Sequence, residues 1–311
     1  MKILLTTTSF QDTPGKHHDA LKKTGFEIDT LRGPVTEDVL LPIIANYDGV
    51  ICGDDFYTKK VLEAGKNGKL KVLSKYGIGL DKIDLTVAEE LGVKVTNCPG
   101  VNHMAVSEHI FALILSFYKN IVDEVSITRD GKWQRLIGHE IYGMKIGVAG
   151  MGRIGKEVLL RAKAFGLKPY AFDKFIDEGF IENNKVNVCD TLESLFNKTD
   201  IVSLNMNLNE KNNQCINEDI LENHTKKGLL LVNTARGELV DENAILYGIR
   251  NKILSGYLTD VLIEEPMKLH HPFTKYPNIL ITPHIGSRTF ESVERQGTIA
   301  INNLVKYLLD Y

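Results

Sequence analysis

Three closely spaced glycines after a short apolar run constrain this chain more than any other feature of its sequence. Residues 145–155 read Lys-Ile-Gly-Val-Ala-Gly-Met-Gly-Arg-Ile-Gly, so that glycines stand at 150, 152 and 155. Each has a mechanical use: Gly150 permits a tight turn, Gly152 keeps the backbone accessible, and Gly155 lets a helix pack closely on the preceding strand. The spacing therefore predicts a strand that turns sharply into a helix, as at the start of an α/β fold.

A carboxylate further along the chain indicates what this turn binds. Asp173 comes 18 positions after Gly155, at the end of a second apolar run, Pro-Tyr-Ala-Phe-Asp. Glycine triplets also occur in purely structural turns, but a strand, a helix and an acidic residue at this distance favour a dinucleotide, whose pyrophosphate would lie on the free N–H groups at the helix start. Asp173 selects NAD, because a carboxylate accepts hydrogen bonds from ribose hydroxyls and repels the 2′-phosphate of NADP. The adjacent Lys174 weakens that preference.

Length and charge limit the partners of the chain. Its 311 residues suffice for two domains, since single domains usually hold about 100–200 residues. The net charge is −3, with acidic and basic residues interspersed, so we expect no binding to nucleic acid or to an anionic membrane. No apolar run reaches the roughly 18 residues of a transmembrane helix, and the apolar N-terminal stretch is too short for a signal peptide. We therefore expect a soluble protein.

The cysteines indicate the compartment. The four of them, at 52, 98, 189 and 215, are far apart and form no Cys-x-x-Cys pair. Cys52 and Cys98 end apolar runs, where cysteine usually serves as a small hydrophobic residue. This usage favours a reducing compartment, and we expect a cytoplasmic protein.

Two series of alternating strands and helices are predicted. In the first, strands at 3–7, 49–52, 71–74 and 93–96 alternate with helices at 37–46, 59–64 and 85–91. In the second, strands fall at 145–149, 168–172, 201–205, 229–233, 256–259 and 279–282. Such alternation predicts parallel sheets with helices on both faces, and six strands with a glycine turn after the first describe a dinucleotide-binding sheet. A last helix at 291–309 carries apolar residues spaced to pack against a sheet.

Polar residues at the ends of the later strands are the candidates for chemistry. Arg236 follows the strand at 229–233, and a guanidinium there can hold a carboxylate through two parallel hydrogen bonds. Asp260, Glu264 and Glu265 follow the next strand and His284 follows the last one, and a carboxylate beside a histidine would stabilise the imidazolium form. Taken singly, Arg236 could instead cap a helix or pair with Asp241, and His284 could be an ordinary turn residue. Their joint occurrence favours a reaction site.

A series of motifs makes the chain resemble one family from about residue 71 to the C-terminus. In order they are Lys-Tyr-Gly-Ile-Gly-Leu-Asp-Lys-Ile-Asp (75–84), Asn-Cys-Pro-Gly-Val-Asn (97–102), Val-Ser-Glu-His (106–109), the glycine motif, Asn-Thr-Ala-Arg-Gly (233–237), Glu-Glu-Pro (264–266) and Thr-Pro-His-Ile-Gly-Ser (282–287). With these motifs the chain resembles the D-isomer-specific 2-hydroxyacid dehydrogenases, the family of D-3-phosphoglycerate, glyoxylate/hydroxypyruvate and D-lactate dehydrogenases. The resemblance implies interconversion of a D-2-hydroxy acid and its 2-oxo acid by hydride transfer with NAD.

The resemblance also implies roles for individual residues. Arg236 would hold the substrate carboxylate and polarise its carbonyl group, His284 would donate and accept the proton, and Glu265 would pair with His284. The loop at Ile78 and Gly79 would bind the substrate carboxylate through its backbone. The remaining residues would contact the cofactor, namely Gly150, Gly152, Arg153, Ile154, Gly155, Asp173, Thr234, Asp260 and Ser287. The interpretation requires no metal ion.

The architecture implied by the resemblance consists of two Rossmann-like domains with doubly wound parallel sheets. A flavodoxin-like substrate-binding domain would be discontinuous, made of residues 1–98 and 287–311. An NAD-binding domain, 99–286, would lie between them in sequence and carry a dimerisation arm at about 101–140, so that a homodimer is expected. Trp133 would pack in the core of the arm or reach the site of the partner.

The identity of the acid is left open. The loop at 6–18 is rich in hydrogen-bond donors and could hold an anionic end of a substrate, or be a solvated turn and helix cap. Residues 52–56 are acidic where phosphoglycerate-type relatives tend to carry an arginine, so phosphate binding would need Lys16, Lys75 or Arg135 instead. D-3-phosphoglycerate is the first candidate and hydroxypyruvate or glyoxylate the alternative. An NADH-sensing, corepressor-like interaction protein is the alternative of another class.

Overall fold

The fold is described from a computed structural model over residues 1–309, so the last two residues of the predicted segment 287–311 lie outside the described residues. The chain divides into two compact units. Unit 1 comprises Met1–Asn102 together with the segment that begins at Ser287, and unit 2 comprises His103–Gly286. The first change of unit therefore falls between residues 102 and 103, and the second between 286 and 287.

Strands and helices alternate along residues 1–309. The strands are β1 (Lys2–Leu5), β2 (Glu27–Thr30), β3 (Gly49–Cys52), β4 (Val72–Lys75), β5 (Lys94–Thr96), β6 (Lys145–Ala149), β7 (Lys168–Phe172), β8 (Asn187–Val188), β9 (Ile201–Leu204), β10 (Leu229–Asn233), β11 (Leu254–Thr259) and β12 (Ile279–Ile281). The α-helices are α1 (Thr8–Asp12), α2 (Lys16–Lys23), α3 (Glu37–Leu40), α4 (Lys59–Asn67), α5 (Leu85–Glu90), α6 (His103–Tyr118), α7 (Ile121–Arg129), α8 (Arg153–Ala164), α9 (Glu178–Asn184), α10 (Leu192–Lys198), α11 (Glu218–His224), α12 (Glu242–Arg250) and α13 (Phe290–Leu309).

Unit 1 is built on a parallel five-stranded sheet in the order β2-β1-β3-β4-β5. This is the flavodoxin-like strand order. Successive side chains of a strand point to opposite faces, so Leu4 joins one hydrophobic cluster while Ile3 and Leu5 join the other. Helix α13 covers the second face through buried Ile301 and Leu304, which confirms that the last helix packs against a sheet.

Unit 2 is built on a parallel seven-stranded sheet in the order β12-β11-β10-β9-β6-β7-β8. The order reverses between β6 and β9, which is the position where doubly wound sheets bind their ligands. Alternate residues of β10 pack into different clusters, Leu231 on one face of the sheet and Leu230 on the other. The two sheets confirm the prediction of parallel sheets with helices on both faces.

Two edge strands correct the strand prediction. The sequence prediction gave four strands in the first sheet and omitted β2, and it gave six in the second and omitted β8. Strand β2 reads Glu-Ile-Asp-Thr and none of its residues is fully buried, while both residues of β8 are exposed. Edge strands of this kind lack the continuous apolar run that identifies a buried parallel strand in a sequence.

Helix α6 modifies the predicted arm at 101–140. Its side chains Ile110, Phe111 and Ile114 are buried in unit 2, in the same cluster as the buried face of α8. Apart from Met104 in α6, the exposed large apolar residues of this segment begin at Ile121, and Trp133 is 82% exposed in the single chain. The first part of the predicted arm is therefore a core helix, and Trp133 does not pack in a core formed by its own chain.

Two further findings concern the environment of the chain. Among residues 1–309, no helix combines the length and the apolar character required to span a membrane. Cys52 and Cys98 are fully buried with free thiols, as expected of small hydrophobic residues.

Candidate active site

The glycine motif forms the turn between β6 and α8. Gly150 has φ +100°, a left-handed conformation that favours glycine, and a Cβ there would lie 2.6 Å from the carbonyl oxygen of Asn205. A Cβ on Gly155 would lie 2.0 Å from the carbonyl oxygen of Gly150, so the close approach of helix to turn requires glycine. A Cβ on Gly152, in contrast, would meet nothing within 4 Å. Two glycines thus shape the turn, while the third leaves space beside the backbone.

The N-terminus of α8 suits the pyrophosphate of a dinucleotide. The helix has 12 residues, Gly152 caps it without a side-chain hydrogen bond, and its first turn contains no acidic residue. Free N–H groups and the helix dipole favour an anion at such a terminus. In the first turn Arg153 is exposed, and Ile154 packs partly into the core beside Met151. The residues present therefore fit NAD.

Asp173 lies directly after β7, at the carboxyl ends of the strands, where the glycine turn also lies. Its Oδ2 accepts a hydrogen bond from the backbone N–H of Met151 at 2.5 Å, and its Oδ1 accepts one from Phe175 at 2.9 Å. The carboxylate is thereby fixed against the glycine turn. Each ionised oxygen can accept more than one hydrogen bond, so the group can still receive ribose hydroxyls. Lys174, next to it, is exposed.

Arg236 lies in the loop after β10. The side-chain amide of Asn233 donates to the carbonyl oxygen of Arg236 at 2.8 Å, and Arg236 Nη1 donates to the carbonyl oxygen of Ala235 at 2.7 Å. A Cβ on Gly237 would lie 2.1 Å from the carbonyl carbon of Leu262, so this loop packs directly on the backbone that leads to Glu265. Thr234, at the start of the loop, is half-buried.

His284 and Glu265 form a hydrogen-bonded pair. Nδ1 of His284 lies 2.7 Å from Oε2 of Glu265, while Oε1 of Glu265 accepts from the backbone N–H of Leu262 at 2.9 Å. The two side chains are 36% and 34% exposed, so the pair is reachable by a small molecule. Since an ionised carboxylate only accepts hydrogen bonds, Nδ1 carries a hydrogen and Nε2 is the nitrogen that can exchange a proton with a ligand.

Asp260 is a buried carboxylate, 2% exposed, that organises the segment around His284. Its Oδ1 accepts from the backbone N–H of Ile285 at 2.9 Å, and its Oδ2 from that of Gly286 at 2.7 Å. Its backbone oxygen accepts from the N–H of His284 at 2.9 Å. Burial alone would raise the pKa of Asp260, but hydrogen bonds from His109, Thr282, Ile285 and Gly286 hold it below its usual range. These contacts fix the position of the loop that carries His284.

The remaining predicted site residues belong to unit 1. Ile78 and Gly79 follow β4 in a loop where Asn97 donates to the carbonyl oxygen of Ile78 at 2.9 Å. Ser287 is the first residue after the second change of unit and is half-buried. Within unit 2, the structure brings the other predicted residues to the carboxyl ends of β6, β7, β10, β11 and β12.

Sequence reasoning assigned no role to two residues that the structure connects with Asp260. Thr282 Oγ1 donates to Asp260 Oδ1 at 2.6 Å, and Nε2 of His109 lies 2.9 Å from Thr282 Oγ1. Both residues stand in motifs of the sequence, Val-Ser-Glu-His and Thr-Pro-His-Ile-Gly-Ser. Their positions in those motifs could have marked them as functional residues. The contact between them could not be predicted, because they lie far apart in the sequence.

Together these features define an NAD-dependent oxidoreductase, with a dinucleotide turn and a histidine–carboxylate pair on one doubly wound sheet. Comparison with known proteins identifies the family. The family profile described as "D-isomer specific 2-hydroxyacid dehydrogenase, NAD binding domain" matches residues 111–286. The chain belongs to the D-isomer-specific 2-hydroxyacid dehydrogenases. It is thus an enzyme that interconverts a D-2-hydroxy acid and its 2-oxo acid by hydride transfer with NAD.

The individual relatives are named for different substrates. The chain is 35% identical to a glyoxylate reductase of Thermofilum pendens, over 88% of this chain and 82% of that protein. It is 33% identical to a hydroxypyruvate reductase of Thermotoga maritima, over 91% and 92% respectively. A D-3-phosphoglycerate dehydrogenase of Methanocaldococcus jannaschii is 34% identical over 94% of this chain, which spans only 56% of that protein.

A solved structure agrees with the fold. The apo-structure of D-lactate dehydrogenase from Escherichia coli superposes with a TM-score of 0.86 at 27% identity, covering 98% of this chain and 96% of that one. The similarity extends over both units of the chain and supports the membership of the family.

Proposed function

We propose that Arg236, Glu265 and His284 carry out the reduction of a small, unphosphorylated 2-oxo acid. The observation that carries the proposal is the hydrogen bond of 2.7 Å between His284 Nδ1 and Glu265 Oε2. The strands before these two residues and before Arg236 are neighbours in the sheet, in the order β12-β11-β10. Ligands of such sheets bind outside the carboxyl ends of the strands, where all three residues stand.

Each residue has one task in the proposed mechanism. Arg236 holds the substrate carboxylate with two hydrogen bonds and polarises the adjacent carbonyl group. Ile78 and Gly79 are proposed to bind substrate through their backbone. His284 gives the proton on Nε2 to the carbonyl oxygen, while Glu265 stabilises the imidazolium before this step. Bound NADH supplies the hydride for the carbonyl carbon. In the oxidative direction His284 takes the hydroxyl proton back.

The proposed cofactor contacts follow from the turn after β6. The backbone N–H groups at Gly152, Arg153 and Ile154 would bind the pyrophosphate, and Asp173 the ribose hydroxyls. Thr234, Asp260 and Ser287 are proposed to lie near the nicotinamide half of the cofactor. In this proposal unit 2 is the NAD-binding domain and unit 1 the substrate-binding domain.

The preference for an unphosphorylated acid rests on Lys75. This lysine was one of three candidates for binding a substrate phosphate, but its side chain is only 6% exposed. Its Nζ donates to the carbonyl oxygen of Gly53 and to Oδ1 of Asp54, both at 2.6 Å. An ammonium that is buried and paired with a carboxylate attracts a phosphate weakly, and Asp54 adds repulsion. Hydroxypyruvate and glyoxylate are therefore favoured over the phosphorylated acid.

A panel of 2-oxo acids tests the substrate. The loss of NADH absorbance is followed with glyoxylate, hydroxypyruvate, pyruvate and phosphohydroxypyruvate, with the His284→Ala variant as the control for background reduction. We expect kcat/KM for hydroxypyruvate or glyoxylate to exceed that for the phosphorylated acid by about tenfold or more, a difference that corresponds to about 1.4 kcal/mol. A preference for phosphohydroxypyruvate would contradict the choice of substrate. Turnover of no panel member would contradict the proposed site.

We further propose that the protein is a cytoplasmic homodimer. The support lies in residues 119–142, which expose large apolar side chains beyond the core helix α6. Val122 is 55%, Trp133 82%, Ile137 93% and Tyr142 78% exposed. Val122, Ile137 and Tyr142 line one cavity, and contiguous apolar side chains on a surface are typical of a protein interface.

A further inference from the structure

His109 extends the contacts of Asp260 to helix α6. Its side chain is 16% exposed, and its Nε2 lies 2.9 Å from Thr282 Oγ1 and 3.4 Å from Asp260 Oδ1. Thr282 has one hydroxyl hydrogen, which it donates to Asp260 at 2.6 Å. The oxygen of Thr282 must therefore accept from His109, so that His109 carries a hydrogen on Nε2. We call these three side chains the His109 cluster.

The His109 cluster holds a strained loop. His284 has φ +53°, a left-handed conformation that is strained for a residue other than glycine. The hydrogen bonds of Asp260 to Ile285 and Gly286, together with that of its backbone to His284, stabilise this conformation. A Cβ on Gly286 would lie only 2.9 Å from Asp260 Oδ2, which shows how closely the loop approaches the carboxylate. Asp260 can hold the loop only if its own side chain is fixed.

We propose that His109 and Thr282 are positioning residues for His284, acting through Asp260. His109 donates to Thr282, and Thr282 donates to Asp260. Asp260 in turn fixes the backbone N–H groups of His284, Ile285 and Gly286. The chain of hydrogen bonds determines where Nε2 of His284 stands, although neither His109 nor Thr282 touches the substrate. This inference rests on the proposed role of His284 as proton donor.

Paired variants separate positioning from simple packing. His109→Gln keeps a nitrogen donor near the place of Nε2, whereas His109→Leu fills similar space without a donor. Thr282→Ser keeps the hydroxyl and Thr282→Val removes it with little change of volume. His224→Leu and Thr225→Val are matched controls, since these residues lie at the end of α11, where Thr225 makes a local bond to Ile220.

The expected results distinguish the effect of the hydrogen-bond donor from the effect of side-chain volume. His109→Leu and Thr282→Val should lower kcat about tenfold or more, because small misplacement of a catalytic group costs up to about 100-fold. The dissociation constant of NADH, measured by fluorescence, should change less than twofold, and His109→Gln and Thr282→Ser should recover most of kcat. The inference would be overturned if all four variants kept the kcat of the wild type. Equal losses of kcat in His109→Leu and His109→Gln would also overturn it. If His109→Leu does not fold, the Thr282 pair decides.

A measurement without substrate makes the inference independent of the proposed reaction. Nitrogen NMR of the histidine side chains in the cofactor-free protein follows the His284 resonances, which are assigned by comparison with His284→Ala. Thr282→Val should shift these resonances while Thr282→Ser leaves them near the wild-type positions. Unshifted resonances in Thr282→Val would overturn the inference even if the enzyme reduces 2-oxo acids. A shift in a protein that reduces none would leave the positioning intact and refute the proposed function.

Discussion

Nδ1 of His284 is 2.7 Å from Oε2 of Glu265, and the other oxygen of Glu265 accepts the backbone N–H of Leu262. The carboxylate of Glu265 is thus held by a hydrogen bond within its own loop, and it in turn orients the imidazole of His284. This arrangement keeps Nδ1 on the carboxylate side and directs proton exchange to Nε2. The pair leads directly to a prediction about turnover.

Replacement of His284 by Ala should lower kcat by about 100-fold or more, because the general acid is lost. Glu265→Gln should cause a smaller loss and shift the pH profile. A neutral amide stabilises the imidazolium less than a carboxylate does, so reductive activity should be lost at lower pH than in the wild type. The measurement is kcat against pH with NADH in excess. Glu264→Gln is the control for Glu265→Gln, since Glu264 pairs with Lys268 instead. Near-normal turnover of His284→Ala with intact NADH binding would refute the role of the histidine.

Asp173→Asn should weaken the preference for NADH over NADPH. The variant removes the charge that repels a 2′-phosphate and weakens the acceptor for the ribose hydroxyls. A hydrogen bond to a charged group contributes about 1.5–3 kcal/mol, so the ratio of kcat/KM for the two cofactors should move toward NADPH by about tenfold or more. Asp219→Asn, on the exposed first turn of α11, is the control. An unchanged ratio, or a wild type that prefers NADPH, would contradict the role of Asp173.

The glycine turn was predictable because each of its three positions obeys a local rule. Gly150 needs a positive φ, Gly155 needs close packing, and Gly152 needs open space, and the structure shows all three. The buried strands were predictable for the same reason, since β6, β7 and β10 each have a continuous apolar run with the predicted bounds. Strand β2, at an edge and only partly buried, has no such run.

The His109 cluster could not be predicted, because its contacts join distant parts of the chain. His109 and Thr282 are 173 residues apart in the sequence, and their hydrogen bond depends on how α6 packs in unit 2. Lys75 offers a second case. Its charge alone made it a candidate for binding phosphate, but only the structure reveals that the ammonium is buried against Asp54.

Two alanine substitutions in the glycine turn should separate stability from cofactor binding. Gly155→Ala places a Cβ against the carbonyl oxygen of Gly150 and should lower the free energy of unfolding by about 1–3 kcal/mol, or the melting temperature by several degrees. Gly152→Ala meets no protein atom, so the melting temperature should stay near that of the wild type while NADH binds more weakly. Calorimetry and fluorescence titration measure the two effects. Loss of stability in Gly152→Ala with unchanged NADH binding would contradict this division of roles.

The exposed apolar residues between 119 and 142 predict a dimer that a single charge can dissociate. Ile137→Asp should convert a dimer to a monomer, since burying an unpaired carboxylate in an interface is strongly unfavourable. Sedimentation velocity measures the state of association. Leu269→Asp is the control, because Leu269 is similarly exposed, at 86%, but lies in the loop that follows β11. A wild-type monomer, or a dimer that tolerates Ile137→Asp and dissociates with Leu269→Asp, would contradict the proposed interface.

The contribution of Asp260 to stability should depend on pH in a defined direction. Burial acts to raise its pKa, but the hydrogen bonds from His109, Thr282 and the loop amides outweigh it and hold the pKa below the usual value of 3.8. The ionised form of the Asp260 carboxyl group is therefore more strongly favoured in the folded state than in the unfolded state. The resulting stabilisation is complete above the unfolded pKa and is lost as the pH falls through the lower folded pKa. Asp260→Asn lacks this contribution, so its difference from the wild type in free energy of unfolding should be largest near neutral pH and shrink between about pH 5 and pH 3. Urea denaturation across that range measures the difference, and one that stays constant, or grows with acid, would show that the carboxylate is not held in its ionised form.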